Sequence, residues 1–343
     1  MVKIRNFIDA DRGSWDAFAE SHPRGSPFHT IAWKNCMERT FGYRPFFFGA
    51  YRGDRLTGIL PMFLTEGFIT GKTLISSPFA VYGGILAEDE ESRNGLRDRA
   101  AELGKSLRVQ YIELRNAWPE QCVGWSPLRR YATFTQPLST TDPEVLLQEV
   151  PKKTRNMVRK SLKTPFEIRR VRDLKNFERL HSFTLRRLGT PSFPPRHFTE
   201  ILRQFGTGID ICEVAIEGRV VGSSLSFLFR GEMHIYYAAT DPAYNHLATN
   251  YRMYFENMLW AASAGYSVYD FGRTKLGTGT FEFKRHWNTT QRELPYEVLL
   301  VERKDLPNFS PINPKFELAT RLWRRIPLPL TRIAGPWLVR LFP

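Results

Sequence analysis

The residues best placed to do chemistry lie in one run, YDFGRTKLGTGTFEFKRHW, from Tyr269 to Trp287. An apolar strand, Val268 to Phe271, carries one acid, Asp270, and stops at Gly272. A glycine loop follows with Gly277 and Gly279, bearing the cations Arg273 and Lys275. It delivers an aromatic–lysine cluster of Phe281, Phe283, Lys284, His286 and Trp287. A strand that ends in a glycine loop is where α/β folds present reactive groups at a cleft. A lysine held against rings loses hydration, so it becomes either a base of lowered pKa or a strong cation for negative charge that develops in a reaction. The plainer reading is a strand end, a surface loop and a solvated lysine lying on Trp287; residue types alone leave both open.

A second group is cationic. Lys152, Lys153, Arg155, Arg159, Lys160 and Lys163 follow one another without an intervening acid. At helical spacing Arg155, Arg159 and Lys163 share a face. Uncompensated like charge on one face costs stability, so it points to a phosphate-bearing partner held by Lys152, Arg155 and Arg159, against the alternative of a solvated basic helix. The net charge of +14, from 49 Lys plus Arg against 35 Asp plus Glu, also favours polyanions: nucleic acid, nucleotide-linked substrates or an anionic membrane face.

These groups need elements to hold them. A chain of 343 residues suggests two domains, and 42% hydrophobic with 14% aromatic residues is ample for two cores. Cys36, Cys122 and Cys212 are odd in number and lack CxxC spacing, which argues for a reducing compartment without disulfides or a metal site. Charges interrupt the apolar residues of the N-terminus, and no stretch approaches the roughly 20 apolar residues of a membrane span. The expectation is a cytoplasmic protein, soluble or peripheral at the inner membrane.

Two segments read alike: AYRGDRLTGILPMFL (50–64) and AIEGRVVGSSLSFLF (215–229). Each is a strand, a turn at Gly53 or Gly218, an Arg, a Gly (Gly58, Gly222) and a second strand, the pattern of a β-hairpin. Each hairpin is followed by a helical stretch (90–107, 246–264) and then by a strand with an acid, Glu113 or Asp270. The repeated order predicts two copies of one α/β unit with a mixed sheet. The boundary falls near Pro143–Pro151, giving domains 1–150 and 151–305, the second opened by the basic helix, and a tail 306–343. Amphipathic helices are expected over 173–188 and 196–205, with His181 and His197 as surface or capped side chains. The tail mixes Trp323, Trp337 and Phe342 with five arginines after position 319, and its prolines forbid one long helix. It suits either an anionic membrane surface or a wrap around its own domain.

The duplicated unit resembles a tandem pair of GNAT acyltransferase folds, and Asp270 to Trp287 resembles the DFG…FK signature of FemAB-type proteins, which include aminoacyl-tRNA-dependent transferases of peptidoglycan cross-bridges. VPKKTRNMVRKSLK, VRDLKNFERLHSFTLRRLGTPSFPPRHF and LWRRIPLPLTRIAGP are similar to the FemAB-related branch of exosortase (PEP-CTERM) exopolysaccharide systems. The resemblance implies an amide-forming acyl or aminoacyl transfer without a bound cofactor or metal. Lys284, of the FK pair Phe283–Lys284, would be the cation beside the oxyanion, at a cleft between the halves. Asp270 would orient the amine or the loop, and the basic helix would hold phosphates of a nucleotide- or lipid-linked sugar or peptide acceptor. Tyr236 and Tyr237, in HIYYAAT, fall on the central splayed strand, whose backbone would contact the donor.

The donor is left between acyl-CoA and aminoacyl-tRNA. Where acyl-CoA enzymes of this fold have a glycine loop for pyrophosphate, this chain reads DPAYNHLATNY, with only Ala248 small; the first half places Glu88, Asp89, Glu90 and Glu91 there. No heptad run offers a coiled coil for tRNA. Alternatives are an acyl-CoA-dependent N-acyltransferase acting on an amino sugar, and a non-catalytic adaptor in polysaccharide assembly.

Overall fold

A computed structural model describes residues 1–67, 70–306, 314–341 and 343. In chain order come β1 (Lys3–Asn6), α1 (Arg12–Ser21), α2 (Ile31–Phe41), β2 (Arg44–Arg52), β3 (Arg55–Gly67), β4 (Gly71–Ser76), β5 (Leu86–Ala87), α3 (Glu90–Ser106), β6 (Tyr111–Leu114) and β7 (Ser126–Pro127). Then follow β8 (Tyr131–Pro137), α4 (Pro143–Glu149), α5 (Lys152–Leu162), β9 (Glu167–Val171), α6 (Lys175–Leu188), α7 (Pro195–Phe205), β10 (Ile209–Ile216), β11 (Arg219–Phe229), β12 (Glu232–Thr240), α8 (Thr249–Ser263), β13 (Val268–Asp270), β14 (Thr274–Lys275), α9 (Gly279–Arg285) and β15 (Thr290–Glu293). β16 (Glu297–Leu300), α10 (Pro314–Arg325) and α11 (Leu328–Val339) end the chain.

The first sheet runs β1-β2-β3-β4-β6-β16-β7 and the second β14-β8-β13-β12-β11-β10-β9. Strand for strand, β1, β2, β3, β4, β6 and β16 correspond to β9, β10, β11, β12, β13 and β8. In both sheets the pairings along that series are antiparallel three times, then parallel, then antiparallel. The likeness reaches single residues. Thr57 is the extra residue of a bulge before Gly58, as Val221 is before Gly222. A Cβ on either glycine would press to 3.0 Å from the Leu86 carbonyl oxygen or 3.1 Å from Thr249, so close packing explains both glycines. Glu113 and Asp270 each close the third pair of the parallel ladder, opposite Ile75 and His234. The two halves are related by duplication.

The domain boundaries differ from the expected ones. One unit comprises Met1–Arg130, Leu294–Asn313 and Pro336–Pro343, the other Tyr131–Glu293 and Pro314–Gly335. The division falls at 130 rather than 150 because β8 pairs with β13, while Leu146, Leu147 and Val150 belong to the core of the second unit. Conversely β16 pairs with β6 and completes the first sheet. Each sheet thus takes its last strand from a segment distant in sequence from its other strands. Of the expected tail, 307–313 lie outside the described residues; the rest is divided between the units.

Glu297 anchors β16. Its carboxylate accepts from Asn116 Nδ2 (2.9 Å) and from the backbone amides of Val123 (2.8 Å), Gly124 (2.9 Å) and Trp125 (2.9 Å). Glu297→Ala, which strands four donors in a buried place, should lower unfolding stability in urea by about 3 kcal/mol or more, and Glu297→Gln by less.

Candidate functional site

The second sheet parts where β12 and β13 stop pairing. Their ladder covers Glu232–Val268, Met233–Tyr269 and His234–Asp270 and goes no further. Beyond it the chain swings toward β8, with the Phe271 amide on the Phe134 carbonyl (2.9 Å), and turns at Gly272 in left-handed backbone (φ +72°). A Cβ there would sit 3.0 Å from the Ile235 carbonyl oxygen. β12 continues to Thr240 paired with β11, and Tyr236 is skipped in that register as a bulge. β12 thus runs on to Thr240 beyond the last rung that it shares with β13. A strand edge from which its neighbour has parted can take an extended ligand as an added strand.

A buried ion cluster pins the point of separation. Asp270 Oδ2 meets His234 Nδ1 at 3.1 Å, and Glu232 meets His234 Nε2 at 3.2 Å. Asp270 Oδ1 accepts from the Thr133 hydroxyl (3.1 Å) and the Gly272 amide (2.7 Å). Burial works against a charged imidazole, but the hydrogen bonds to Asp270 and Glu232 and their charges outweigh it and raise His234 to about 9. His234 is therefore an imidazolium donating from both nitrogens. Sequence reasoning missed it; the available signal was Glu232 and His234 at alternate positions of an otherwise apolar strand.

Lys284 sits below the same turn. α9, capped by Thr278 on the Phe281 amide, carries it inward, and Nζ donates to the carbonyls of Gly272 (2.8 Å) and Arg273 (3.1 Å). Burial lowers it to about 7, against the attraction of Asp270. The lysine among rings is indeed desolvated, yet its ammonium is engaged by loop carbonyls and only 4% of the residue is exposed. It holds the loop through these two carbonyls. Phe283 packs on Tyr251, Tyr254 and Trp287 in the core. Arg273 stacks on Tyr131 (4.6 Å), and Lys275 pairs in register with Tyr131.

The basic stretch is α5, with Thr154, Val158 and Ser161 as its buried side. The Thr154 hydroxyl donates to the His286 carbonyl, which ties this helix to the end of the lysine-bearing one. Lys152, Lys153, Arg159, Lys160 and Lys163 are exposed and form no ion pair among the described residues. Arg155 differs. Its guanidinium donates to Gln148 Oε1 (2.7 Å) and to the carbonyls of Gln148 (2.9 Å) and Val150 (3.1 Å), so it closes the end of α4.

Tyr237, beside the bulge, hydrogen-bonds His197 Nε2 at 2.9 Å. His181, Phe193 and Phe198 pack around it at ring distances of 5.2, 5.7 and 5.3 Å. The two histidines expected at the surface are buried, and burial lowers each to about 3, leaving neutral rings. α6 and α7 bury them because each lies on the face with Phe177, Leu180, Phe198 and Ile201.

The first unit fills its equivalent opening with its own chain. After β4, Ser77 and Phe79 take left-handed backbone (φ 50° and 59°), and the Gly83 amide meets the Arg115 carbonyl at 2.9 Å. Buried Arg115 pairs with Glu113 (2.8 Å) and donates to the Ala80 carbonyl (3.3 Å). At the start of α3, Asp89 caps Ser92 and pairs with Arg52.

Residues 151–285 match the family described as an acetyltransferase (GNAT) domain. Comparison with curated proteins gives no match. Among solved structures the chain is similar to FemX (TM-score 0.67, 16% identity, covering 88% of this chain and 98% of that one). It is similar to the C-terminal domain of a putative lysylphosphatidylglycerol synthetase from Agrobacterium fabrum (0.56, 11%, 86% and 92%). A tandem GNAT protein from the clavulanic acid biosynthesis pathway also matches (0.53, 12%, 89% and 100%). The chain has a tandem GNAT fold, shared with FemX. Its second copy is the one that matches the domain family.

The cluster predicts opposite pH trends. His234 titrates near 6.5 unfolded and about 9 folded, so its contribution is complete below about 6.5 and is lost as pH rises through about 9. Lys284 titrates near 10.5 unfolded and about 7 folded; the cost of burying its charge is complete below about 7 and is relieved as pH rises toward 10.5. In chemical unfolding from pH 6 to 10, the stability lost in His234→Gln should shrink with rising pH. For Lys284→Met, any advantage over the parent should be largest at low pH and shrink upward. pH-independent differences would mean that neither group is ionised as described.

Proposed function

We propose that the chain is an amide-forming acyl or aminoacyl transferase acting on an amine of a cell-envelope or exopolysaccharide precursor, including those of exosortase-linked systems. The observation that carries this reading is the parting of β13 from the edge of β12 after His234–Asp270, beside the Gly272 turn, in the unit whose sequence matches the acetyltransferase family. The acyl donor lies along that edge as an added strand. The acceptor amine, as the free base, attacks the donor carbonyl carbon. The carbonyl π electrons move to oxygen, the tetrahedral intermediate collapses with loss of the donor's thiolate or alkoxide, and the proton shed by nitrogen goes to that leaving group. Asp270 fixes the Gly272 amide, and Lys284 fixes the loop while adding positive charge near the oxyanion.

The exposed cations of α5 support an acceptor or donor rich in phosphate: a nucleotide- or lipid-linked precursor, or tRNA. A similar fold occurs in the C-terminal domain of a putative lysylphosphatidylglycerol synthetase. A second reading, an acyl-CoA-dependent N-acyltransferase, is favoured by one feature. Ala248, the residue before α8, is left-handed (φ 59°), and no side chain caps that helix, so its first-turn amides remain for a phosphate.

Mass spectrometry of amino-sugar acceptors, free and diphosphate-linked, incubated with acyl-CoAs or with charged tRNA should reveal a new amide with one donor class. No product with any pair would remove the enzymatic reading. Given a product, Lys284→Met should reduce turnover by about a hundredfold or more while acceptor affinity stays, and Lys284→Arg should rescue poorly. Reversal of Lys152 and Arg159 to Glu should weaken binding of a diphosphate-linked acceptor at low salt, with the difference closing as salt shortens the screening length to about 8 Å.

A further inference from the structure

The segment that ends the chain has one side in the protein and one side out. Trp323 is buried, and its indole N–H donates to the Thr190 carbonyl (3.2 Å). Arg186 donates to the Ile326 carbonyl (2.6 Å) and the Ser192 hydroxyl to the Thr331 carbonyl (3.0 Å). Gly335 lies against Ser192 so closely that no side chain fits. The opposite side is bare. Leu322, Leu330, Ile333 and Trp337 are 53%, 55%, 69% and 72% exposed, four of the ten large apolar side chains that are exposed among the described residues. Leu330, Ile333 and Trp337 are three and four residues apart, so they form one stripe along α11.

The charged side chains of this segment have one sign. Residues 319–343 contain Arg321, Arg324, Arg325, Arg332 and Arg340 and no acid, and all five arginines are exposed. Arg332 is near Glu178, whereas Arg324 and Arg340 bond to carbonyl oxygens, which leaves their charge uncancelled. α10 and α11 have twelve residues each, roughly 18 Å of helix, too short for a hydrocarbon core of about 30 Å. A tryptophan with branched aliphatics on one helix face, ringed by arginines, matches the boundary between lipid headgroups and acyl chains. We propose that this face is a docking surface for an anionic lipid bilayer, with Leu330, Ile333 and Trp337 entering the headgroup region and the arginines meeting lipid phosphates. The surface is independent of the transferase reading.

Removing the whole segment is a poor test, because its inner side is packed. Instead, the full chain is sedimented with vesicles of phosphatidylcholine alone or mixed equally with phosphatidylglycerol. The parent should bind the mixed vesicles at low salt and release as salt rises. Ile333→Ser with Trp337→Ser should weaken that binding about tenfold or more at unchanged melting temperature. Arg325→Gln should weaken it less and flatten its salt dependence. Failure of the parent to bind, equal binding to neutral vesicles, or binding indifferent to the serine pair would each overturn the proposal. The assay needs no substrate, so it stands or falls apart from the catalytic reading.

Discussion

The second unit depends on one cross-strand ion pair, His234 with Asp270, at the last rung before two parallel strands separate. Parting strands leaves backbone groups unpaired and invites the sheet to zip further. Here the next residue, Phe271, is claimed by β8, Gly272 turns in a conformation that favours glycine, and Asp270 accepts the Gly272 amide. An isolated carboxylate in this place would be costly to bury. The imidazolium opposite it, itself flanked by Glu232, and the ammonium of Lys284 below supply the compensating charge. The parting of the two strands is thus a product of buried electrostatics, and the loop that follows it is held from both sides.

Duplication supplied two such separations, and the copies have diverged in what fills them. In the first unit, Ser77 to Gly83 folds into the equivalent place and a buried arginine, Arg115, replaces the glycine turn with hydrogen bonds to its carbonyls. The helix that follows begins with acids that pair with Arg52 and Arg55. In the second unit β13 leaves β12 after His234–Asp270, and α8 carries no side-chain cap at its N-terminus. It is the second copy that matches the acetyltransferase domain family.

The aromatic face of β12 adds a constraint of a different kind. Tyr237 is fixed by neutral His197 within a shell of rings. The loop from Gly189 to Pro194, which brings Phe193 onto His197 (4.8 Å), is held in turn by the helices at 314–335 through Thr190 and Ser192. The closing segment is therefore part of the second unit's architecture on its inner side, whatever its outer side meets.

Much was legible in the chain itself. The hairpin–helix–acid order repeats because each copy must solve the same packing problem, down to the bulge glycines Gly58 and Gly222. The loop signature with Asp270 and Lys284 was visible because glycines and a lysine among rings are rare together. What the sequence could not convey was partnership over long separations. That β8 and β16 complete sheets with strands far away in sequence depends on pairings 130 to 190 residues apart, which periodicity does not register. That Arg155 caps a neighbouring helix while Arg159 meets solvent depends on a rotation of α5 decided by Thr154, Val158 and Ser161. His234 looked like one polar residue in a strand until the fold placed a carboxylate against each of its nitrogens. Residue type sets what a side chain can do; burial and neighbours, which only the tertiary structure supplies, decide its charge and its partner.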